Sequence, residues 1–383
     1  MSVTAAKGFT AAGIAAGIKD SGDLDLALVV NQGPTRTAAG VFTSNRVKAA
    51  PVLWSEQVVK GGRISCVVLN SGGANACTGA PGFQDTHATA EKAAGELGVD
   101  AAETAVASTG LIGLRLPMDR LLPGITAAAG ELSPHGGEKA ALAIKTTDSV
   151  HKTAVVEGDG WTVGGMAKGA GMLAPGLATM LVVLTTDADL PAPELDKALR
   201  AATRTTFDRI DSDGCMSTND TVLLLASGAS GVAPGYDEFA EAVHGVCDAL
   251  ARQLIGDAEG ASKDVRIEVV NAASEDDAVE VGRSIARNNL LMCALHGEDP
   301  NWGRVLSAIG TTSAAFDPDA LNVAINGVWV CRNGSVGEDR ELVDMRYREI
   351  GITADLSAGA ESAVIWTNDL TADYVHENSA YSS

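Results

Sequence analysis

Short apolar runs alternate along the chain with longer stretches in which apolar residues recur every three or four positions. The runs predict strands at residues 26–30, 66–69, 180–184, 221–225, 267–270, 323–325 and 351–354. They are rich in Val, Ile and Leu, and most lead into Asn or Asp, which close a strand in a turn. Helices are predicted over 85–97, 191–205, 237–255 and 276–287, the last two with charges set between apolar positions at helical spacing. The acidic residues and proline of 187–191 mark a helix start. Pro- and Gly-rich pieces at 79–82 and 133–137 read as surface loops. The mixture predicts an α/β chain with several sheets, without internal repeat or low-complexity linker.

Composition narrows the function. At roughly 100–200 residues per domain, the length allows two or three domains or one large one. An apolar share of 46% supplies a sizeable core and argues against disorder. Lys and Arg number 28 against 49 Asp and Glu, a net charge of −21. No nucleic-acid or anionic-membrane partner is expected of so acidic a chain, because phosphate binding needs basic patches. The 4% aromatic content also weakens any case for a base-stacking platform. Of two long uncharged runs, 64–84 is crowded with Gly, Asn and Ser, and 169–186 contains Pro175, so neither is expected to span a membrane. Residues 11–18 are only Ala, Gly and Ile, and no targeting segment is expected. The six cysteines form no CxxC pair and are expected to be reduced, mostly buried thiols in the cytoplasm.

Common catalytic signatures are absent: there is no GxSxG elbow, Walker A loop, HExxH or strand-flanked GxGxxG. Asp211, Asp213 and Gly214 faintly resemble a calcium loop, but Arg209 stands where its first ligand belongs, and the stretch reads as a polar turn. The six histidines are scattered, none at metal-ligand spacing, so no metal or cofactor is expected. One segment stands apart: a glycine-rich loop from Gly164 with one buried-looking lysine, Lys168, runs into Pro175, and after Ala178 and Thr179 comes a clean apolar strand. A threonine at a strand mouth, behind a loop of little bulk, suits a reactive hydroxyl that a ligand can approach closely. It equally suits a plain buried threonine.

The segment Lys168-Gly-Ala-Gly-Met172 through Ala178-Thr-Met-Leu181 resembles the self-cleavage motif of the ornithine acetyltransferase family, the glutamate N-acetyltransferases of arginine biosynthesis. The likeness spans the chain. In the family's order come Lys7-Gly-Phe with Ala11-Ala-Gly-Ile-Ala-Ala-Gly-Ile-Lys19, Asn70-Ser-Gly-Gly-Ala-Asn-Ala-Cys-Thr-Gly79, Ser108-Thr-Gly-Leu-Ile-Gly113, Thr146-Thr-Asp148, Asp213-Gly214 with Ser217-Thr-Asn-Asp-Thr221, Asp257-Ala-Glu-Gly260, Asp299-Pro-Asn-Trp-Gly-Arg304, and Asp373-Tyr-Val with Glu377-Asn378. Pro175-Gly-Leu177 and the second glycine of Asn70-Ser-Gly-Gly73 depart from the family pattern without removing a chemical group.

The resemblance implies an α/β fold of the aminopeptidase-like, N-terminal-nucleophile type, with two unequal lobes and several sheets layered with helices. It implies autocatalytic cleavage between Ala178 and Thr179, giving an alpha chain, 1–178, and a beta chain, 179–383, that stay intertwined and assemble as a heterotetramer of two alpha and two beta chains. Thr179 becomes the nucleophile. A threonine hydroxyl needs a base, and the freed α-amine, with a reference pKa of about 7.7–8.0, supplies one on the same Cα. Acetyl passes from N2-acetyl-L-ornithine to Thr179 and then to L-glutamate. The likeness places the oxyanion hole at Thr109 and Gly110, and substrate contacts at Thr146, Lys168, Thr179, Glu259, Asn378 and Ser383. Lys168 suits a substrate carboxylate and Glu259 the ornithine amine; the choice of Thr146 over Thr147 rests on spacing alone. If Asn378 and Ser383 bind substrate, the chain end folds back over the site. Alternatives are a related self-cleaving aminopeptidase or amidase, a binding protein that kept the fold, and a bifunctional form that also uses acetyl-CoA. The single activity is the primary expectation.

Overall fold

The structure, a computed structural model, describes residues 2–174 and 180–380. Its chain divides into two compact units of unequal size. Of the described residues, the first takes 2–174, 180–208 and 215–257, and the second takes 209–214 and 258–380.

In the first unit a four-stranded sheet runs in the order β1 (Phe9–Ile14), β2 (Leu26–Asn31), β4 (Cys66–Ser71), β5 (Thr104–Thr109). A five-stranded sheet runs in the order β3 (Thr37–Phe42), β9 (Thr221–Ala226), β8 (Leu181–Thr186), β7 (Thr162–Lys168), β6 (Lys152–Glu157). The two sheets pack face to face. Val29, Val67, Leu69, Met166, Leu181, Val183, Leu223 and Leu225 share one core with the alanine face of α4 (Gly137–Ala143). The opposite face of the first sheet carries Leu28, Val30 and Val68 and is covered by α2 (Gly79–Leu97) and α3 (Met118–Gly130). The opposite face of the second is covered by α5 (Ala192–Thr205) and α6 (Tyr236–Gly256). Helix, sheet, sheet and helix therefore stack in layers. Strands covered on both sides read as unbroken apolar runs, and each buried Leu or Val contributes about 1.5–3 kcal/mol. α1 (Ala50–Val59) guards the open edge of β5: Ser55 Oγ donates to Val106 O at 2.7 Å and accepts from Val106 N at 2.9 Å.

The second unit is one six-stranded sheet, in the order β13 (Ser335–Val336), β12 (Val328–Arg332), β11 (Asn322–Ile325), β14 (Glu349–Asp355), β10 (Asp264–Ala272), β15 (Glu361–Asn368). α7 (Glu275–Ala286), α8 (Asn289–His296) and α9 (Trp302–Ile309) share its core, and α10 (Ala372–Ala380) ends the described chain. Only one face is fully buried, so β10 alternates: Val265, Ile267 and Val269 point into the core, and Arg266 and Glu268 point out. Ser274, Asn288 and Asn301 each cap a helix, accepting the N–H groups of Asp277, Leu291 and Arg304.

The seven expected strands and four expected helices are all present, some with longer bounds. Three expectations are corrected. Residues 79–82 are the first turn of α2 and not a loop; Gly82 is glycine because a Cβ would stand 1.9 Å from Thr78 Oγ1. The glycine-rich stretch before Pro175 begins as strand β7, through Lys168, and only then becomes loop; in the strand a Cβ on Gly164 would stand 2.4 Å from Ser2 O and one on Gly165 2.7 Å from the Leu184 side chain. None of the six thiols is in a disulfide, yet Cys77, Cys215 and Cys293 are exposed, and only Cys66, Cys247 and Cys331 are buried.

Candidate active site

Thr109 closes β5 and is buried. Just beyond it Gly110 takes φ +128°, and a Cβ there would stand 2.5 Å from Gly73 N, so only glycine fits. The backbone is pinned on both sides of Gly110: Gly73 N donates to Thr109 O at 2.9 Å and Ala74 N to Leu111 O at 3.0 Å. Lys168 closes β7, paired in register with Leu181 at the start of β8. Its side chain is only 2% exposed, and Nζ donates to Thr109 Oγ1 at 3.3 Å. A hydroxyl has one proton to give. Because Thr109 Oγ1 accepts from the lysine, its own proton is left to donate elsewhere, with a cation beside the oxygen.

Asp148 holds this corner together. Its Oδ1 accepts from Gly169 N at 2.6 Å and from Lys152 Nζ at 2.7 Å, and its Oδ2 accepts from Thr146 N at 3.0 Å. Burial raises its pKa, but Lys168, Lys152 and the Gly169 N–H override it and hold the carboxyl at about 2. Lys152 is completely buried and bridges Asp148 and Asp257. Lys19 Nζ donates to Lys145 O at 2.7 Å, which anchors the chain one residue before Thr146. Three groups that sequence reasoning passed over as site residues, Asp148, Lys152 and Lys19, thus fix the backbone at Thr146 and Gly169. Their only signal was position: Asp148 and Lys19 lie inside quoted motifs, and Lys152 in none.

In the second unit Asn378, on α10, donates from Nδ2 to Glu259 Oε2 at 3.0 Å. Gly260 makes that meeting sterically allowed. It takes φ +61°, and a Cβ would lie 2.2 Å from Tyr374 N, so any larger residue would push α10 away. Thr371 caps the helix, accepting from Tyr374 N at 2.9 Å and donating to Gly260 O at 2.6 Å.

Of the expected site residues, Thr109, Gly110, Lys168 and Thr146 therefore lie in the first unit, with Thr109 and Lys168 in direct contact. Glu259 and Asn378 meet in the second. Thr146 and Thr147 are both half-buried. Ala178, Thr179 and Ser383 lie outside the described residues. Among the described residues no cluster of His, Cys, Asp or Glu could hold a metal ion, and no helix is long and apolar enough to cross a membrane.

Residues 10–383 match the model of the ArgJ family. The chain belongs to the ArgJ family. It is similar to the arginine biosynthesis bifunctional protein ArgJ of Streptomyces coelicolor, 80% identical over 383 residues and covering all of both chains. It is 57% identical to the protein of the same name from Mycobacterium tuberculosis, covering all of this chain and 96% of the other. Among solved structures, ornithine acetyltransferase from Mycobacterium tuberculosis, complexed with ornithine, is 60% identical, covers 47% of this chain and 96% of that one, and has a TM-score of 0.45. Membership of ArgJ makes the chain an acetyltransferase of arginine biosynthesis, as its motifs led one to expect.

Proposed function

We propose that the chain cuts itself between Ala178 and Thr179 and then carries acetyl from N2-acetyl-L-ornithine to L-glutamate on the Thr179 hydroxyl. The freed amine of Thr179 takes the hydroxyl proton as Oγ1 attacks the acetyl carbonyl. Ornithine leaves with a proton, and the glutamate amine attacks the ester in turn. Thr109 Oγ1 and the Gly110 N–H stabilise the oxyanion of each step. Lys168 receives a substrate carboxylate and Glu259 the ornithine amine, with Thr146, Asn378 and Ser383 as further substrate contacts.

The observation that carries this reading is the buried Lys168–Thr109 contact at 3.3 Å. It joins the expected oxyanion donor to the strand that pairs with Leu181, two residues beyond Thr179. We further propose acetyl-CoA as a second donor, in keeping with the relatives' bifunctional names, and a cytoplasmic assembly of two alpha and two beta chains.

Intact mass and N-terminal sequencing of the purified protein test the cut. Pieces of 178 and 205 residues, the second beginning Thr-Met-Leu-Val-Val, are expected. A single uncut 39.0 kDa chain with full activity overturns the reading. Thr179→Ala is expected to abolish acetyl transfer.

A further inference from the structure

The Ser217-Thr-Asn-Asp-Thr221 stretch is distinctive in the sequence, yet the scheme above gives it no task. In the structure it leads into β9, whose first residue is Thr221, and Met180 lies immediately before β8. The two strands are parallel neighbours with Leu181 opposite Thr221, so their leading residues stand side by side. Asp220 is fully buried, and its Oδ1 accepts from Met180 N at 3.0 Å. Thr221 N donates in return to Met180 O at 3.1 Å. The preceding residue reaches the other way. Asn219 Nδ2, also buried, donates to Ser108 O at 2.8 Å and to Ala74 O at 2.6 Å. Ser108 is covalently joined to Thr109, and the Met180 nitrogen is bonded to the carbonyl carbon of Thr179.

We propose that Asn219 and Asp220 are positioning residues that set the distance between the Thr179 nucleophile and the Thr109–Gly110 oxyanion hole. Two adjacent side chains on one strand mouth grip the residue after the nucleophile and the residue before the hole. Neither touches substrate. The role lies in the geometry of attack, where a misplacement of about 1 Å costs on the order of 10²-fold in rate. Burial pushes the Asp220 carboxyl well above the usual carboxylate range, only partly offset by the Met180 N–H, the Ser217 hydroxyl and Lys168. Met180 N needs only an acceptor oxygen at this position, which the isosteric amide also carries, so Asp220→Asn should serve as well.

The inference rests on the Thr179 reading, and the test separates the two. Asp220→Ala, Asp220→Asn, Asn219→Ala and Thr179→Ala are prepared as full chains and checked for native circular dichroism and elution. Self-cleavage is followed on denaturing gels, and kcat and KM are measured per cleaved chain. For Asp220→Ala and Asn219→Ala we expect slowed cleavage and a kcat lower by about 10²-fold, with KM changed by no more than about twofold. For Asp220→Asn we expect a kcat within about threefold of the parent and an unchanged pH profile. An Asp220→Asn loss as large as that of Asp220→Ala, or a loss carried in KM, overturns the positioning role. So do parental rates in both alanine variants. If Asp220→Ala does not fold, Asn219→Ala decides, and parental kcat there overturns the inference. Thr179→Ala turning over at the parental rate sinks the nucleophile itself, whatever the other variants do.

Discussion

Asp148 in the first unit and Asp211 in the second are both carboxylates shut away from water, yet burial ends in opposite results. Asp148 meets two lysines and two backbone N–H groups and is held at about 2. Asp211 has the Arg287 guanidinium at 2.8 Å, but its Oδ1 has no hydrogen-bond partner among the described residues, and burial lifts it to about 6. Burial penalises both charges; the number of partners decides the sign. The expected site residues follow the same divide. Thr109 and Lys168 are sealed into the first unit, where preorganised donors act at full strength. Glu259 and Asn378 meet at the surface of the second, where a hydrogen bond competes with water. The buried set suits charge stabilisation in a transition state, and the exposed pair suits a substrate that must enter and leave.

The contrast can be broken most sharply at Gly110. Gly110→Ala drives a methyl into Gly73 and displaces a donor, so kcat should fall by the equivalent of about 4 kcal/mol with little change in KM. An unchanged kcat removes Gly110 from the oxyanion hole. Next comes Asp211. A carboxyl lifted from 3.8 to about 6 loses about 3 kcal/mol of folding stability on ionising, so stability is greatest below pH 4 and declines as pH rises through 6. Asp211→Asn should therefore raise the denaturant midpoint at pH 8 and leave it nearly unmoved at pH 4. Asp148 runs the other way. Held at about 2, it contributes about 2 kcal/mol above pH 4 that is lost as pH falls toward 2. Acid titration of the parent against Asp148→Asn should show the two curves converging there. The smallest effect belongs to Asn378→Ala. An exposed hydrogen bond is worth about 1 kcal/mol or less, so KM for acetylornithine should rise a few-fold with kcat intact.

Strands buried on both faces were legible because they carry unbroken apolar runs, as at 181–184 and 222–225. β7 was not, because its glycines answer to neighbours distant in sequence, the Ser2 carbonyl and the Leu184 side chain, which no local pattern reveals. At 79–82 the neighbour is local: glycine looks like a turn, and in fact Gly82 makes room for Thr78, four residues earlier, at the start of a helix. At the site, family motifs pointed to Thr109, Lys168, Glu259 and Asn378. The work of Lys152 was hidden. A lysine in an alternating strand reads as solvent-facing until the two carboxylates that neutralise it, one of them 105 residues away, are seen beside it. Thr179, the proposed nucleophile, was reached through motif likeness and not through periodicity.

β8 lies in the interior of its sheet, laced to β7 along one side and to β9 along the other. A break just ahead of it would leave two polypeptides that dilution alone cannot part, since releasing either means unzipping a central strand. Such pieces should copurify through every native column and come apart only in denaturant. Remixing them after refolding separately should restore little, because each would meet its partner strand already collapsed.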